Sequence, residues 1–369
     1  MERYHYLIVG AGFAGCTLAE RLAGQLNRRV LLIDKRGHIG GNCFDSDNDQ
    51  GIRIQNYGPH IFHTNIQRVW DYLNQFTTFN HYIHRVLTHV KTGLDVYFPI
   101  NLETMEQVTG RTFTPETLAA YFDETRIKID EADIRNSRDV VLSQVGEEVY
   151  ELFVRHYTRK QWGVYPEELD PQVLRRIPVR FNRDTRYFDD PWQGIPTHGF
   201  SHLFETMTRH PNIDIRLGTS YSEIVSDISF DTLIYTGPID EYFDYVYGRL
   251  PYRTMDFKFE TLDAEKFQDA AVVNYPNDHA YIRITEYKHF YFQNHPQTTI
   301  SYEFPAENGE PYYPVPREEN ARLYEQYKAA AEKLKNVYFV GRLAEYKYLN
   351  MDQTVNNALA LVETLAGRY

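Results

Sequence analysis

Cysteine is almost missing from this chain: Cys16 and Cys43 are the only two in 369 residues. Two thiols cannot build a disulfide framework, which excludes the small disulfide-stapled classes and fits a reducing compartment. Long apolar runs are missing too. No hydrophobic stretch approaches the roughly 20 residues that cross a bilayer, so no membrane span is expected. The opening Met-Glu-Arg-Tyr-His-Tyr carries no secretory leader pattern, and a soluble, cytoplasmic protein is expected. Positive charge is in short supply: 39 Lys and Arg face 51 Asp and Glu, a formal net charge of −12. Such a surface repels a phosphate backbone, so nucleic acid is not an expected partner. A small anionic ligand would need a local cluster of arginines.

What the chain has in excess is tyrosine, 30 residues beside 22 phenylalanines. A phenol ring adds flat apolar surface with a hydroxyl, suited to stacking on rings and to hydrogen-bonding phosphates, although any single tyrosine is more ordinarily a core or interface residue. The length exceeds one ordinary core and suits two or three domains. Tyr6–Val9 and Val30–Ile33 read as buried parallel strands, with a helix from Phe13 to Leu26 between them. From Asn101 to about Pro178 the pattern is helical and polar, with helix starts at Thr114-Pro115-Glu116 and Ser137-Arg138-Asp139. Between Val179 and Pro316 short aromatic and β-branched runs predict a mostly antiparallel sheet, among them Tyr281–Thr285, His289–Phe292 and Thr299–Tyr302. Ile213–Leu217 and Thr232–Tyr235 read as strands returning to the first domain. Val337–Gly341 reads as a further buried strand, and Thr354–Leu365 as the closing helix. The expected fold class is α/β: a Rossmann-like nucleotide-binding domain with an inserted helical bundle and an antiparallel β-sheet domain. The expected division places residues 1–77, 197–236 and 317–369 in the nucleotide domain, 100–178 in the helical domain, and 78–99, 179–196 and 237–316 in the sheet domain.

Gly10-Ala11-Gly12-Phe13-Ala14-Gly15 fits G-x-G-x-x-G between a strand and a helix. The first glycine permits the tight turn, the second lets backbone approach a pyrophosphate, and the third lets helix pack on strand. The helix N-terminus then offers N–H groups and the positive end of its dipole. Asp34 ends the second strand, where a carboxylate can accept from ribose hydroxyls. The segment Lys35-Arg36-Gly37-His38-Ile39-Gly40-Gly41-Asn42 places a glycine pair directly after the acid, and Val340-Gly341-Arg342 adds a late strand ending in glycine before the helix that opens near Met351. Both features are similar to those of flavoproteins of the glutathione-reductase and amine-oxidase superfamily, which points to FAD rather than NAD.

Further motifs occur together and in order: Tyr57-Gly58-Pro59-His60-Ile61-Phe62-His63-Thr64, Lys160-Gln161-Trp162-Gly163, Gln193-Gly194-Ile195-Pro196 and Gly341-Arg342-Leu343-Ala344. This set closely resembles the prokaryotic UDP-galactopyranose mutase family over nearly the whole chain. The resemblance implies a UDP-sugar bound in a cleft beside the flavin. It assigns Tyr157, Trp162 and Tyr187 to the uracil pocket, Arg176 and Arg283 to the diphosphate, and Tyr313 and Tyr348 to phosphate binding. It sets His60 and His63 against the flavin and His84 near the sugar. Gly10, Gly12, Phe13, Ala14, Gly15, Asp34, Lys35, Gly41, Asn42, His60, Arg342, Asn350 and Met351 are its expected cofactor residues. Asn350 also falls on the substrate side, where the family commonly has an acid. As a metal pair, His60 and His63 would lack a third ligand at metal-site spacing, and no metal is expected.

The implied reaction is a ring contraction between the pyranose and furanose sugar without net redox change. Reduced FAD acts through N5 as the nucleophile on the anomeric carbon, and NADH or NADPH is the external reductant. Arg176, Arg283, His60 and His63 are the residues expected at the chemistry. Oligomeric state is not readable from the chain, and a homo-oligomer is only what the resemblance implies. Three alternatives stay open. The amide at 350 leaves room for a mutase acting on UDP-N-acetylgalactosamine or on a dTDP-deoxysugar. An amine-oxidase-like FAD oxidoreductase shares the cofactor motifs. A flavoprotein that only binds would not need the arginine and tyrosine set.

Overall fold

The computed structural model describes residues 2–306 and 308–367. Five strands form a parallel sheet in the spatial order Val337–Phe339, Ser229–Tyr235, Arg3–Val9, Val30–Asp34, Ile213–Leu217. A parallel sheet is covered on both faces, so its central strands need apolar residues at every position. Leu7, Ile8, Leu31 and Leu32 are accordingly fully buried. Ile8 and Leu32 pack beneath the helices Phe13–Gly24 and Met351–Ala366 through Leu18, Leu22, Val355 and Val362. Leu7, Leu31 and Leu233 form the opposite layer with Ile224 and Ile228. The strand Val337–Phe339 is half-buried rather than buried, because it stands at the sheet edge.

A second sheet has seven strands in the order Tyr313–Pro314, Tyr252–Leu262, Thr298–Ala306, Arg283–Glu286, Val272–Asn274, Val86–His89, Asp95–Phe98. All neighbours run antiparallel except Val272–Asn274 and Val86–His89, which are parallel. The run Tyr281–Thr285 starts its strand only at Arg283. The expected strand His289–Phe292 is instead a short helix, Lys288–Tyr291. Lys288 is buried there and its ammonium donates to the carbonyls of Glu265, His295 and Gln297, which fixes a helical turn that four apolar residues cannot signal.

Helices Leu102–Thr109, Pro115–Thr125, Ser137–Val145 and Arg155–Trp162 enclose their own core of Met105, Leu118, Phe122, Leu142 and Phe153. The Thr114 side chain caps one helix, with Pro115 at its first position. The second start falls one residue earlier than its motif, since Asn136 Oδ1 accepts from Asp139 N–H. Before Arg155 the helix passes through a π turn, Tyr150–Val154. Such turns widen the backbone and free a carbonyl, and Leu152 O here accepts from Asn277 Nδ2 at 2.8 Å. Residues 192–194, expected with the sheet domain, pair instead with Phe62–Thr64 of the nucleotide end.

Candidate functional site

The glycine turn closes one cavity by backbone geometry. Gly10 has φ +100°, and an added Cβ would lie 2.1 Å from Thr236 Oγ1. At Gly15 a Cβ would lie 1.9 Å from Gly10 O, so this residue serves helix-to-strand approach and does not itself line the cavity. Gly12 differs: the nearest atom to an added Cβ is Gly41 Cα at 3.9 Å. The helix Phe13–Gly24 begins there without a side-chain cap and without an acid in its first turn. Its free N–H groups point at a cavity of about 520 Å³, lined by Gly10, Gly12, Phe13, Ala14, Asp34, Lys35, Gly41 and Asn42. An uncapped N-terminus over bare glycine backbone fits a pyrophosphate.

Asp34 is more committed than its motif implies. Oδ2 accepts from Ala11 N–H at 2.8 Å and Oδ1 from Arg36 N–H at 2.9 Å, so the buried carboxylate pins the glycine turn to the strand end. Each oxygen keeps a further lone pair for a ligand hydroxyl. The far end is lined by Thr219, Ser220, Tyr221, Glu241, Tyr242 and Tyr245, none of which stood out in the sequence.

A second cavity of about 600 Å³ lies beside the first. His60, Tyr312, Arg342 and Met351 line both, so the two chambers meet at these four side chains. The larger chamber brings together His63, His84, Tyr157, Trp162, Arg176, Tyr187, Arg283, Tyr313, Tyr348 and Asn350. Asn350, expected at both ligands, lines this chamber alone. It stands at the start of the closing helix, where its own N–H donates to Gln353 Oε1 at 2.9 Å and the Gln353 N–H donates to Asp352 Oδ1 at 2.8 Å.

Three guanidiniums dominate the electrostatics. Arg176 lies 4.3 Å above the Tyr348 ring and Arg342 5.3 Å from it. Burial alone would raise the Tyr348 phenol, but Arg176, Arg342 and Arg283 hold it below its ordinary value. Trp162 and Tyr313 meet edge to face at 5.0 Å and Tyr313 and Tyr348 at 5.5 Å, giving a wall of flat rings beside the charges. Arg342 is fixed by donating from Nε to Leu349 O at 2.9 Å.

Arg283 faces a residue that sequence reasoning missed. Its Nε lies 3.1 Å from Glu303 Oε2, an ion pair whose angle does not make a hydrogen bond. Burial pushes the Glu303 carboxyl above its ordinary value and Arg283 only partly offsets it. No local signal marked it, since Thr298, Thr299, Ile300 and Ser301 are all buried and the strand shows no in–out alternation leading up to Glu303. Asn274 was missed too. It pairs with Arg283 across the strands, and its buried Oδ1 has no hydrogen-bond partner among the described residues while its side chain lines the chamber.

The histidines are held apart by different partners. His60 Nδ1 donates to Gly58 O at 2.9 Å, and burial lowers its pKa to about 4, so the ring is neutral and Nε2 is an acceptor. His63 Nδ1 pairs with Asp190 Oδ2 at 2.6 Å, and its ring stacks on Phe188 at 3.6 Å. His84 contacts Tyr82 OH through Nδ1 at 3.0 Å, and burial lowers it to about 3. Among the described residues no three His, Cys, Asp or Glu side chains are grouped to hold a metal. No described helix is long and apolar enough to cross a membrane.

A Rossmann-like nucleotide cradle opening onto a second chamber, with an antiparallel sheet as its far wall, defines the flavoprotein class of fold. A family model described as UDP-galactopyranose mutase matches residues 152–348, and one described as an NAD(P)-binding Rossmann-like domain matches residues 8–76. A probable UDP-galactopyranose mutase of Klebsiella pneumoniae is 39% identical over 367 residues, covering 97% of this chain and 94% of the relative. The dTDP-fucopyranose mutase of Escherichia coli is 36% identical over 368 residues, covering 96% of each. The crystal structure of a reduced UDP-galactopyranose mutase has the same fold, with a TM-score of 0.80 at 16% identity, covering 99% of this chain and 94% of that one. The chain belongs to the UDP-galactopyranose mutase family of isomerases.

Proposed function

We propose that this protein interconverts the pyranose and furanose forms of a nucleotide-diphosphate-linked galactose, with FAD in the smaller chamber and UDP-galactose in the larger. The observation that carries this reading is the meeting of the two chambers at His60, Tyr312, Arg342 and Met351, directly beside the cluster of Arg176, Arg283 and Tyr348. The cradle fits FAD: Gly12 and Gly41 line it with bare backbone at an uncapped helix end, so close together that a Cβ on Gly41 would lie 3.2 Å from Gly12 Cα. Gly10, Gly12, Phe13, Ala14, Asp34, Lys35, Gly41 and Asn42 would hold the dinucleotide end, and His60, Arg342 and Met351 the flavin end.

The chemistry supplied by the bound cofactor is nucleophilic, from N5 of the reduced flavin toward the anomeric carbon, with no net redox change. The chain's own task is to bind, orient and shield. Arg176 and Arg283 bring two positive charges to a diphosphate in a protein of net charge −12, and guanidinium forks match phosphate oxygens. As the sugar–phosphate bond breaks, these groups stabilise the charge that develops on the leaving diphosphate. Tyr313 and Tyr348 present hydroxyls to the same group. Tyr157 and Trp162 offer flat faces to the base, with Tyr187 beside them, and the unpartnered Asn274 carboxamide offers an edge contact. Neutral His60 holds its Nε2 as an acceptor at the junction. His63, oriented by Asp190, and His84 face the sugar region. NADH or NADPH from solution serves as reductant in a reducing cytoplasm.

The test is to incubate dithionite-reduced and oxidised protein with UDP-galactofuranose, separating products by chromatography while following the flavin spectrum. Conversion by the reduced form alone, with the spectrum unchanged at the end, is expected. Flavin reduction by the substrate in the oxidised form would instead establish an oxidoreductase. A second reading, a dTDP-deoxysugar as substrate, is favoured by the 36% identity to dTDP-fucopyranose mutase over 96% of the chain, together with the amide at Asn350. A parallel incubation with dTDP-fucofuranose decides between the two by the ratio of kcat/KM values.

A further inference from the structure

Lys160 has no part in the proposed chemistry, yet its ammonium is fully engaged. Nζ donates to Tyr275 O at 2.6 Å, Asp278 O at 2.8 Å and Tyr281 O at 3.3 Å, which uses all three of its protons on one loop. That loop, residues 275–282, joins two cavity-lining residues: Asn274 ends the strand before it, and Arg283 opens the strand after it. Lys160 itself stands on the helix Arg155–Trp162, which carries Tyr157 and Trp162 into the same chamber. Tyr157 and Lys160 are three residues apart and share a helix face.

The loop and the helix have few other ties. Asn277 Nδ2 reaches Leu152 O at the π turn. At the opposite end Arg253, from the long strand Tyr252–Leu262, donates from Nε to Gln161 O at 2.8 Å and from Nη2 to Lys160 O at 3.2 Å. Arg253 therefore anchors the helix to another strand, not to the loop. Within the loop the backbone is closed by Tyr275 N–H to Ile282 O at 2.8 Å, the His279 and Tyr281 rings stack, and Tyr275 meets both edge to face. No side chain of the loop replaces the ammonium at the three carbonyls. Half-burial lowers the Lys160 pKa to about 8, with Asp278 opposing, as expected for a cation held by backbone dipoles alone.

We propose that Lys160 is a positioning residue: it ties the helix bearing Tyr157 and Trp162 to the loop between Asn274 and Arg283, and so sets the width of the base-and-diphosphate end of the larger chamber. The inference rests on the reading of that chamber as a nucleotide-sugar site. Cutting the tie lets the ring wall and the Arg283 strand move apart, which weakens ground-state binding more than it slows the bound substrate.

The test uses the full-length, FAD-loaded protein with UDP as the probe. Lys160→Met keeps the apolar stem and removes the ammonium; Lys160→Arg restores a cation. In Lys160→Met the Kd for UDP, by titration calorimetry, is expected to rise roughly tenfold or more, KM is expected to rise by more than kcat falls, and FAD content is expected to stay at the wild-type level. Lys160→Arg is expected to recover part of the UDP affinity. Amide hydrogen exchange in residues 275–282 is expected to quicken in Lys160→Met with or without UDP. Unchanged exchange in that loop, or unchanged UDP affinity beside a wild type that binds UDP, overturns the proposal. Loss of FAD together with a global fall in protection also overturns it, since that marks a general stabiliser. A wild type that does not bind UDP sinks the nucleotide-sugar reading instead, and the exchange measurement still decides whether Lys160 holds the loop.

Discussion

The two chambers are built on opposite principles. The smaller is made mainly of backbone: a glycine turn, an uncapped helix end and a strand-end carboxylate, much of it within residues 9–43. The larger is made of side chains drawn from segments as far apart as Tyr57 and Met351, with charge and aromatic rings in place of backbone N–H groups. A backbone site tolerates no added atoms and is insensitive to most side-chain chemistry. A side-chain site tolerates small changes of shape but loses function with a single charge.

Breaking the backbone chamber has the largest expected effect. Gly15→Val places a side chain against Gly10 O, where even a Cβ would sit 1.9 Å away, and no folded, FAD-loaded protein is expected on purification. Gly12→Ala is the sharper probe, because Gly12 lines the cavity and its added Cβ would meet Gly41 Cα only at an ordinary contact distance of 3.9 Å. That variant is expected to keep a cooperative melting transition and lose retained FAD, read from the flavin-to-protein absorbance ratio. In the side-chain chamber, Arg283→Ala is expected to keep FAD and lower kcat/KM by about 10²–10³, the usual cost of one transition-state donor. It also leaves buried Glu303 without its partner, so a lowered melting temperature should accompany the loss. Arg176→Ala removes an exposed guanidinium with no acid partner among the described residues, and about tenfold to a hundredfold loss with unchanged melting is expected.

Acid should act on the side-chain chamber first. His84 and His60 are lowered to about 3 and about 4, while an unfolded histidine titrates near about 6.5. Between those values the unfolded chain takes up the extra protons, so stability is complete above about pH 6.5 and falls steadily as pH drops toward 4. A pH series of melting temperatures should show this slope, and His84→Gln should flatten it. The smallest effect is expected from Asp34→Asn. One oxygen can still accept from Ala11 N–H, so about a tenfold weaker FAD affinity is expected without loss of fold. A larger loss would place more of the binding in the carboxylate than in the glycine backbone.

Legibility followed the same division. The strand, glycine turn, helix and acid were readable because each is set by neighbours within a few residues, through period, turn chemistry and the i to i−4 ladder. The closing helix and the strands read at 213–217 and 232–235 were legible for the same reason, although the second strand begins earlier, at Ser229. Glu303, Asn274 and the ring of Thr219 to Tyr245 were not, since nothing beside them in the chain marks them as facing a cavity. His289–Phe292 misled because a buried Lys288, bonded to carbonyls at 265, 295 and 297, overrode a local apolar pattern.

The sequence by itself determined the parallel core and the dinucleotide cradle, because local backbone geometry leaves glycine-rich turns and apolar strands few alternatives. Only the tertiary structure decided that this cradle opens onto an arginine and tyrosine chamber at His60, Tyr312, Arg342 and Met351. It also decided that Asp34 serves the turn as well as the cavity, and that one lysine ties a helix to a distant loop. Those outcomes depend on packing between residues far apart in the chain, and such contacts form only when whole sheets and helices have docked.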